Sequence, residues 1–406
     1  MIRPPPTGTP SWAPGGILMK PLAKRMEVLG TESAFEVLAQ ARALEKQGKK
    51  ILHFEIGEPD FQTDPVIRFA AIKALIDDWT HYVPAPGIDM LREAICEYIE
   101  RDRGFKVTPD MIVVTPGAKP IIFHSIMTTV DPGDEVIMQD PGFPIYESVT
   151  LFAGGVPKMI PLLEKNQFRM TPEQVNEAVT KKTKLIILNS PNNPTGAVST
   201  KEDIKGIAEI AHDNDIWILS DEVYSQNLYD AKFYTVASRD HCQENTILLD
   251  GFSKTYAMTG WRLGYGIMNK DMAKKFAQMN INTISCTSAF SQVAAATALR
   301  MDQTSAKAMV AEFRRRRDVI VKKLNEVKGF KCLKPEGAFY VYPSIEGTGK
   351  NSRELKDILL NEVGVAALPG TAFGHTGTKN MRFSYANSLK NIEEGMDKIK
   401  AKFGAA

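Results

Sequence analysis

The sequence predicts an α/β protein built on a mostly parallel β-sheet with helices on both faces. From residue 111 onward, short apolar runs alternate with amphipathic segments, the pattern of strand–helix–strand units. Those runs show little polar alternation, as expected of strands buried on both faces. The length of 406 residues exceeds what one simple core accommodates and implies two domains, or a large one with a smaller one attached.

The opening stretch, MIRPPPTGTPSWAPGG, has no apolar core flanked by basic residues and a cleavage site, so it does not read as a secretory signal. Its proline and glycine content makes residues 1–18 an expected flexible arm, with Met19 as an alternative start. AFEVLAQARALEKQGKK (34–50) has helical spacing and stops at Gly48, and ILHFEIGEPDF follows as a short strand entering a turn. TDPVIRFAAIKALIDDW (63–79) reads as a helix capped by Thr63 or Asp64, with Pro65 in its first turn. MIVVTP, EVIMQDP, KLIILNSP, IWILSDEVY, TILLDGFS and LGYGIM read as strands, with IIFHSIMTTV and KEDIKGIAEIAHDND as helices between them. AMVAEFRRRRDVIVKKLNEVKGF is a long amphipathic helix on which the run Arg314–Arg317 is expected to form a solvated face. GAFYVYP and MRFSYA are strand-like, and NIEEGMDKIKAKF is a last helix.

Composition excludes several functions. Hydrophobic residues make up 43%, charged residues 24%, and the formal net charge is +2, so no broad field favours nucleic acid or membrane surfaces. No apolar run reaches the length of a membrane span. Cys96, Cys242, Cys286 and Cys332 are too far apart for a CxxC pair, and so few thiols suit a reducing, cytoplasmic setting. No HExxH occurs, the six histidines are scattered, and no metal site is expected. GTGK (347–350) lacks the upstream glycine of a phosphate-binding P-loop.

Ligands of parallel sheets gather beyond the carboxyl ends of the strands. There the sequence places Gly117, Asn193, Asp221 and Lys254. A lysine amine condenses with an aldehyde once it sheds its proton, and burial near a cation such as Arg262 favours that. A carboxylate such as Asp221 holds a pyridine nitrogen protonated and makes the ring an electron sink. TPGAKPII supplies the amides of Gly117, Ala118 and Lys119 ahead of Pro120, and Ser253 and Arg262 add a hydroxyl and a guanidinium for a phosphate.

These residues resemble the class I aminotransferases of pyridoxal-phosphate fold type I, in the branch covering aspartate and aromatic substrates. NSPNNPTG (189–196), SDEVY (220–224) and SKTYAMTGWRLGY (253–265) carry the likeness, supported by IGEPDF, HYVPAPGIDMLREAI, GAFYVYP and MRFSYA. The likeness spans roughly residues 20 to 400. It implies a sheet of the seven-stranded type in a large domain (63–300) that binds pyridoxal 5′-phosphate. A smaller α+β domain would be built from both chain ends (19–62 and 301–406). It implies that Lys254 bonds the cofactor's aldehyde, Asp221 pairs with the ring nitrogen, Tyr224 and Asn193 hydrogen-bond its phenolic oxygen, and Phe143 stacks on its face. Ser253, Arg262 and the amides around Ala118 would hold the phosphate, which Tyr82 would reach from the neighbouring subunit of a homodimer. Arg382, with Asn193 and the Gly57 backbone, would clamp the substrate α-carboxylate.

The activity so implied is transamination between an L-amino acid and a 2-oxo acid, with 2-oxoglutarate as the family-typical acceptor, in the manner of aspartate aminotransferases. Alanine, aromatic and other donors stay open, as does a lyase or synthase on the same fold. An aminotransferase-like regulator would need a helix-turn-helix that the first residues cannot form. A second cation for dicarboxylates is fixed by no motif; Lys119 and Arg25 are candidates.

Overall fold

A computed structural model describes residues 20–406. The expected arm, 1–18, and Met19 lie outside the described residues. The first half of the chain runs from α1 (Ser33–Lys46) and β1 (Leu52–His53) to α2 (Pro65–Ile76), α3 (Asp89–Arg103), β2 (Ile112–Thr115), α4 (Lys119–Thr129), β3 (Glu135–Asp140), α5 (Ile145–Phe152), β4 (Val156–Pro161), α6 (Pro172–Ala178) and β5 (Thr183–Asn189). Then come α7 (Lys201–Asp213), β6 (Trp217–Asp221), β7 (Thr246–Gly251), β8 (Gly264–Ile267), α8 (Lys270–Thr283), α9 (Ala289–Arg300) and α10 (Thr304–Asn325). The chain closes with β9 (Tyr340–Val341), α11 (Ser352–Ile358), β10 (Val365–Ala366), β11 (Leu368–Pro369), β12 (Met381–Ser384) and α12 (Leu389–Phe403).

Seven strands form the central sheet in the order β2-β8-β7-β6-β5-β3-β4. Its pairs are parallel except those made by β8, which runs antiparallel to β2 and β7. Successive residues of each buried strand enter opposite helix layers, as the period of two requires. Val113, Leu185, Ile187, Leu219, Ile247 and Leu249 pack with Ile121 and Ile126 of α4 and Phe276 of α8. On the other face, Ile112, Val114 and Leu248 meet α3 and α9, while Ile186, Leu188 and Ile218 meet α6 and α7. Local capping agrees with the sequence: Asp64 accepts from the Val66 amide at 2.8 Å with Pro65 in the first turn of α2, and Thr200 with Asp203 forms a capping box on α7.

The two chain ends meet in a second core. β1 pairs in parallel with β10, and β11, β12 and β9 form an antiparallel sheet beside α10 and α12. Leu52 and Phe54 pack there with Phe313, Phe383 and Ile399. The expectation of a solvated arginine face fails for half of its run. Arg314 and Arg315 are exposed, but Arg317 is fully buried and Arg316 nearly so. Arg317 pairs with Asp230 and Asp318 and donates to the Pro335 carbonyl, while Arg316 pairs with Asp60 and Glu312. Buried guanidinium groups persist only when paired; Glu312 and Asp318 lie on α10 itself, but Asp60 and Asp230 come from two distant segments that the helix alone does not reveal.

Candidate active site

The strand ends converge on a cavity of about 490 Å³ between the central sheet and the small antiparallel sheet. Asn189 ends β5, Asp221 ends β6 and Gly251 ends β7, and all three line it. Ser253 and Lys254 follow in the turn after β7, and Arg382 reaches in from β12. Of the other residues expected from sequence, Gly57, Ala118, Lys119, Phe143, Asn193, Tyr224 and Arg262 also line the cavity. Gly117 stands just behind Arg262. Tyr82 is not brought to this cavity; its side chain is 88% exposed on the outer surface.

Lys254 projects partly exposed into the cavity, and its amine donates to the Gly57 carbonyl at 2.5 Å. Burial among protein atoms lowers its pKa from 10.5 to about 8, with Glu58 opposing and Arg382 adding to the shift. Asp221 is 4% exposed. Its Oδ2 accepts from Tyr146 Oη at 2.6 Å and its Oδ1 from the Val223 amide at 3.3 Å, and no cation pairs with it among the described residues. Burial raises its pKa from 3.8 to about 6, against the hydrogen bond from Tyr146.

Arg382 is the cationic counterpart. It is 4% exposed, lies over the rings of Tyr340 and Phe373, and donates to Asn193 Oδ1 at 3.3 Å and to the Glu55 carbonyl. Its Nε is buried without a partner. Burial depresses its pKa, with Tyr340, Tyr224, Glu55 and Glu32 opposing the shift. Asn193 is held by its own amide, which donates to Asn189 Oδ1 at 2.8 Å, and Asn189 in turn donates to the Asp221 carbonyl. Tyr224 Oη and Tyr340 Oη share a hydrogen bond of 2.7 Å, and burial pushes the Tyr224 phenol well above its usual pKa.

At the far end, α4 starts with Ala118 as its cap and Pro120 in its first turn, so its leading amides have no carbonyl within the helix. Two glycines make this approach possible. A Cβ on Gly264 would lie 2.5 Å from the Ala118 nitrogen, and one on Gly117, at φ +89°, would lie 2.3 Å from Arg262 Nη2. Gly117's own amide donates back to the Thr115 carbonyl at 2.8 Å, so its contribution is the missing side chain and not the amide expected from the sequence. Arg262 itself sits at φ +53° and is anchored by donating to the Thr259 carbonyl at 2.7 Å.

Among the described residues, the cavity thus holds an amine with a lowered pKa, a buried carboxylate lacking a cation and a buried guanidinium lacking an anion. A family model for class I and II aminotransferases matches residues 49–399. The chain belongs to this family. It is 39% identical over 382 residues to an aspartate aminotransferase of Pyrococcus horikoshii, covering 93% of this chain and 96% of that protein. It is also 39% identical to an aromatic-amino-acid aminotransferase of Thermococcus litoralis, covering 93% and 97%. Among solved structures, the aspartate aminotransferase of Thermus thermophilus superposes with a TM-score of 0.89 at 35% identity, covering 94% of this chain and all of that one. The protein is therefore an aminotransferase, and its mostly parallel seven-stranded sheet is the sheet expected from the motifs.

Three aminotransferase cavity contacts were not legible as motifs: Tyr146 on Asp221, Tyr340 on Tyr224, and an ion pair between Glu32 and Lys119. Tyr146 and Tyr340 do lie within strings that carry the family likeness or neighbour it, DPGFPIY and GAFYVYP. Among the described residues, no cluster could hold a metal ion and no helix is long and apolar enough to cross a membrane.

Proposed function

We propose that the enzyme transfers an amino group from an L-amino acid to a 2-oxo acid, using pyridoxal 5′-phosphate held in this cavity. The observation that carries the reading is the meeting of Lys254, Asp221 and Arg382 in one cavity, each without an ionic partner among the described residues. The donor set fits the cofactor. Asp221 supplies the anion that a protonated pyridine nitrogen requires, and that nitrogen supplies the cation Asp221 lacks. Ser253, Arg262 and the amides of Ala118 and Lys119 suit a phosphate. Tyr224 and Asn193 suit the ring's phenolic oxygen, and Phe143 its face.

Bound there, the cofactor would supply an aldehyde for an amine to condense with and a ring that accepts the electron pair left at the substrate Cα. Lys254 Nζ, whose pKa burial lowers toward neutrality, carries the proton that leaves Cα. Arg382 orients the α-carboxylate through Nε and Nη, the bidentate geometry that only arginine offers. A clamped carboxylate is not a leaving group, which favours amino transfer over decarboxylation. Mixing the holoenzyme with single amino acids, and following loss of the visible cofactor absorbance with release of the 2-oxo acid, tests the reading. No 2-oxo acid from any donor rejects it.

Arg382→Ala should lower kcat/KM for every amino acid by about a hundredfold or more, through KM in the main, while the cofactor stays bound. Unchanged half-reaction kinetics would remove Arg382 from the substrate site.

We also propose a homodimer in which Tyr82 reaches the partner's phosphate. The outer face of α2 supports it: Val66, Phe69, Ile72, Leu75 and Ile76 are exposed there, a continuous apolar surface of the kind subunit contacts cover. Sedimentation should give twice the 45.0 kDa chain mass, and Phe69→Asp should shift it toward the monomer with loss of cofactor affinity. A fully active monomer refutes this. A cytoplasmic location is supported by four free cysteines, two of them buried, and is checked by cell fractionation.

A further inference from the structure

The cavity contains one charged pair that the proposed chemistry does not use. Glu32, the residue immediately ahead of α1, forms an ion pair with Lys119, the first residue of α4. Both side chains line the cavity. Glu32 is 18% exposed and Lys119 is 47% exposed, with its amine 5.5 Å from the centre of the Phe143 ring. Among the described residues, four cations line this cavity: Lys119, Lys254, Arg262 and Arg382. The proposed function engages the last three, so Lys119 is the remaining cation that a second substrate carboxylate could meet. It is already occupied. Phe143 lies beside the pair, and the cavity's lining also includes the apolar Ala34, Phe35, Leu368 and Phe373 together with the polar Ser33 and Glu58.

We propose that Glu32 determines substrate class. By occupying Lys119 it leaves no free ammonium for a second substrate carboxylate, which favours amino acids with uncharged apolar or aromatic side chains over aspartate and glutamate. The inference rests on the transamination reading above. A dicarboxylate must break the Glu32–Lys119 pair to reach the ammonium, and the displaced Glu32 carboxylate then stands in the same cavity as the incoming anion. Separating a partly desolvated pair and adding a like charge both oppose binding. An aromatic side chain requires neither step and gains contact with the phenylalanines and leucine. The same competition slows 2-oxoglutarate as acceptor.

The test is a single-turnover comparison of L-phenylalanine and L-aspartate on wild-type and Glu32→Gln holoenzymes, read as kcat/KM from the cofactor absorbance. Glutamine keeps the size of the side chain and removes the charge that holds Lys119. The wild type should prefer phenylalanine, and Glu32→Gln should raise the aspartate-to-phenylalanine ratio about tenfold or more. Adding Lys119→Gln to Glu32→Gln should abolish that gain, because the gain requires a freed ammonium. A wild-type preference for aspartate, an unchanged ratio in Glu32→Gln, or a gain that survives loss of Lys119 overturns the assignment and leaves transamination standing. If the wild type converts no amino acid at all, the transamination reading and this inference fall together.

Discussion

Lys254→Ala should yield a folded protein whose turnover is about 10⁴-fold slower, because the proposed function asks one group both to bond the cofactor and to carry the Cα proton. The fold does not depend on this side chain. Its amine makes a single hydrogen bond, to the Gly57 carbonyl, and it faces a cavity instead of a packed core. Its charge is in fact a burden. The folded-state pKa is about 8 against 10.5 for the free side chain, so the unfolded chain binds the proton more tightly. That penalty is full below pH 8 and disappears as the pH rises toward 10.5. The cofactor-free Lys254→Ala protein should therefore melt higher than the cofactor-free wild type at pH 7, and the difference should shrink above pH 8. A variant that is less stable at pH 7 would mean that Lys254 has a structural task.

Asp221→Asn should lower kcat by about a thousandfold, the scale of losing one preorganised charge at a reacting centre. Asparagine keeps the shape but cannot hold a proton on a ring nitrogen. The electrostatics separate this from a structural role. Asp221 has a pKa near 6 in the folded chain and 3.8 ordinarily, so its ionisation opposes folding. The penalty is absent below pH 3.8, grows through pH 6 and is full above it. Cofactor-free Asp221→Asn should thus be at least as stable as wild type at pH 7 and show no advantage near pH 4. Its neighbour Glu222 is a useful contrast. It is equally buried but pairs with Arg103 at 3.2 Å, as Asp250 does at 3.1 Å, so replacing Glu222 should cost stability. Two adjacent buried carboxylates, one satisfied inside the chain and one not, differ in what they are for.

Much of this site was legible because its chemistry is local. Lys254, Asp221, Asn193 and Arg262 each sit in a short string whose turn and neighbours place it at a strand end. α2 announced itself through Asp64 and Pro65, and the buried strands through unbroken apolar runs. What stayed hidden depends on contacts between distant positions. Glu32 and Lys119 are 87 residues apart, and Tyr146 finds Asp221 across 75. Arg317 looked like a surface arginine until Asp230 and Pro335 were folded against it. The reversed direction of β8 was equally unreadable, since Gly264–Ile267 is buried on both faces and apolar periodicity carries no sign of strand polarity. Gly117 misled in a smaller way. A glycine before a helix suggests an open amide, yet its amide turns back to Thr115 and its role is to clear space for Arg262.

The most direct measurement is borohydride reduction of the holoenzyme followed by peptide mapping. A pyridoxyl group should be found on Lys254, within the peptide GFSKTYAMTGW, and should be absent from Lys254→Ala. A pyridoxyl group on Lys119 or any other lysine, or no reducible link in a protein that still transaminates, would contradict the assignment.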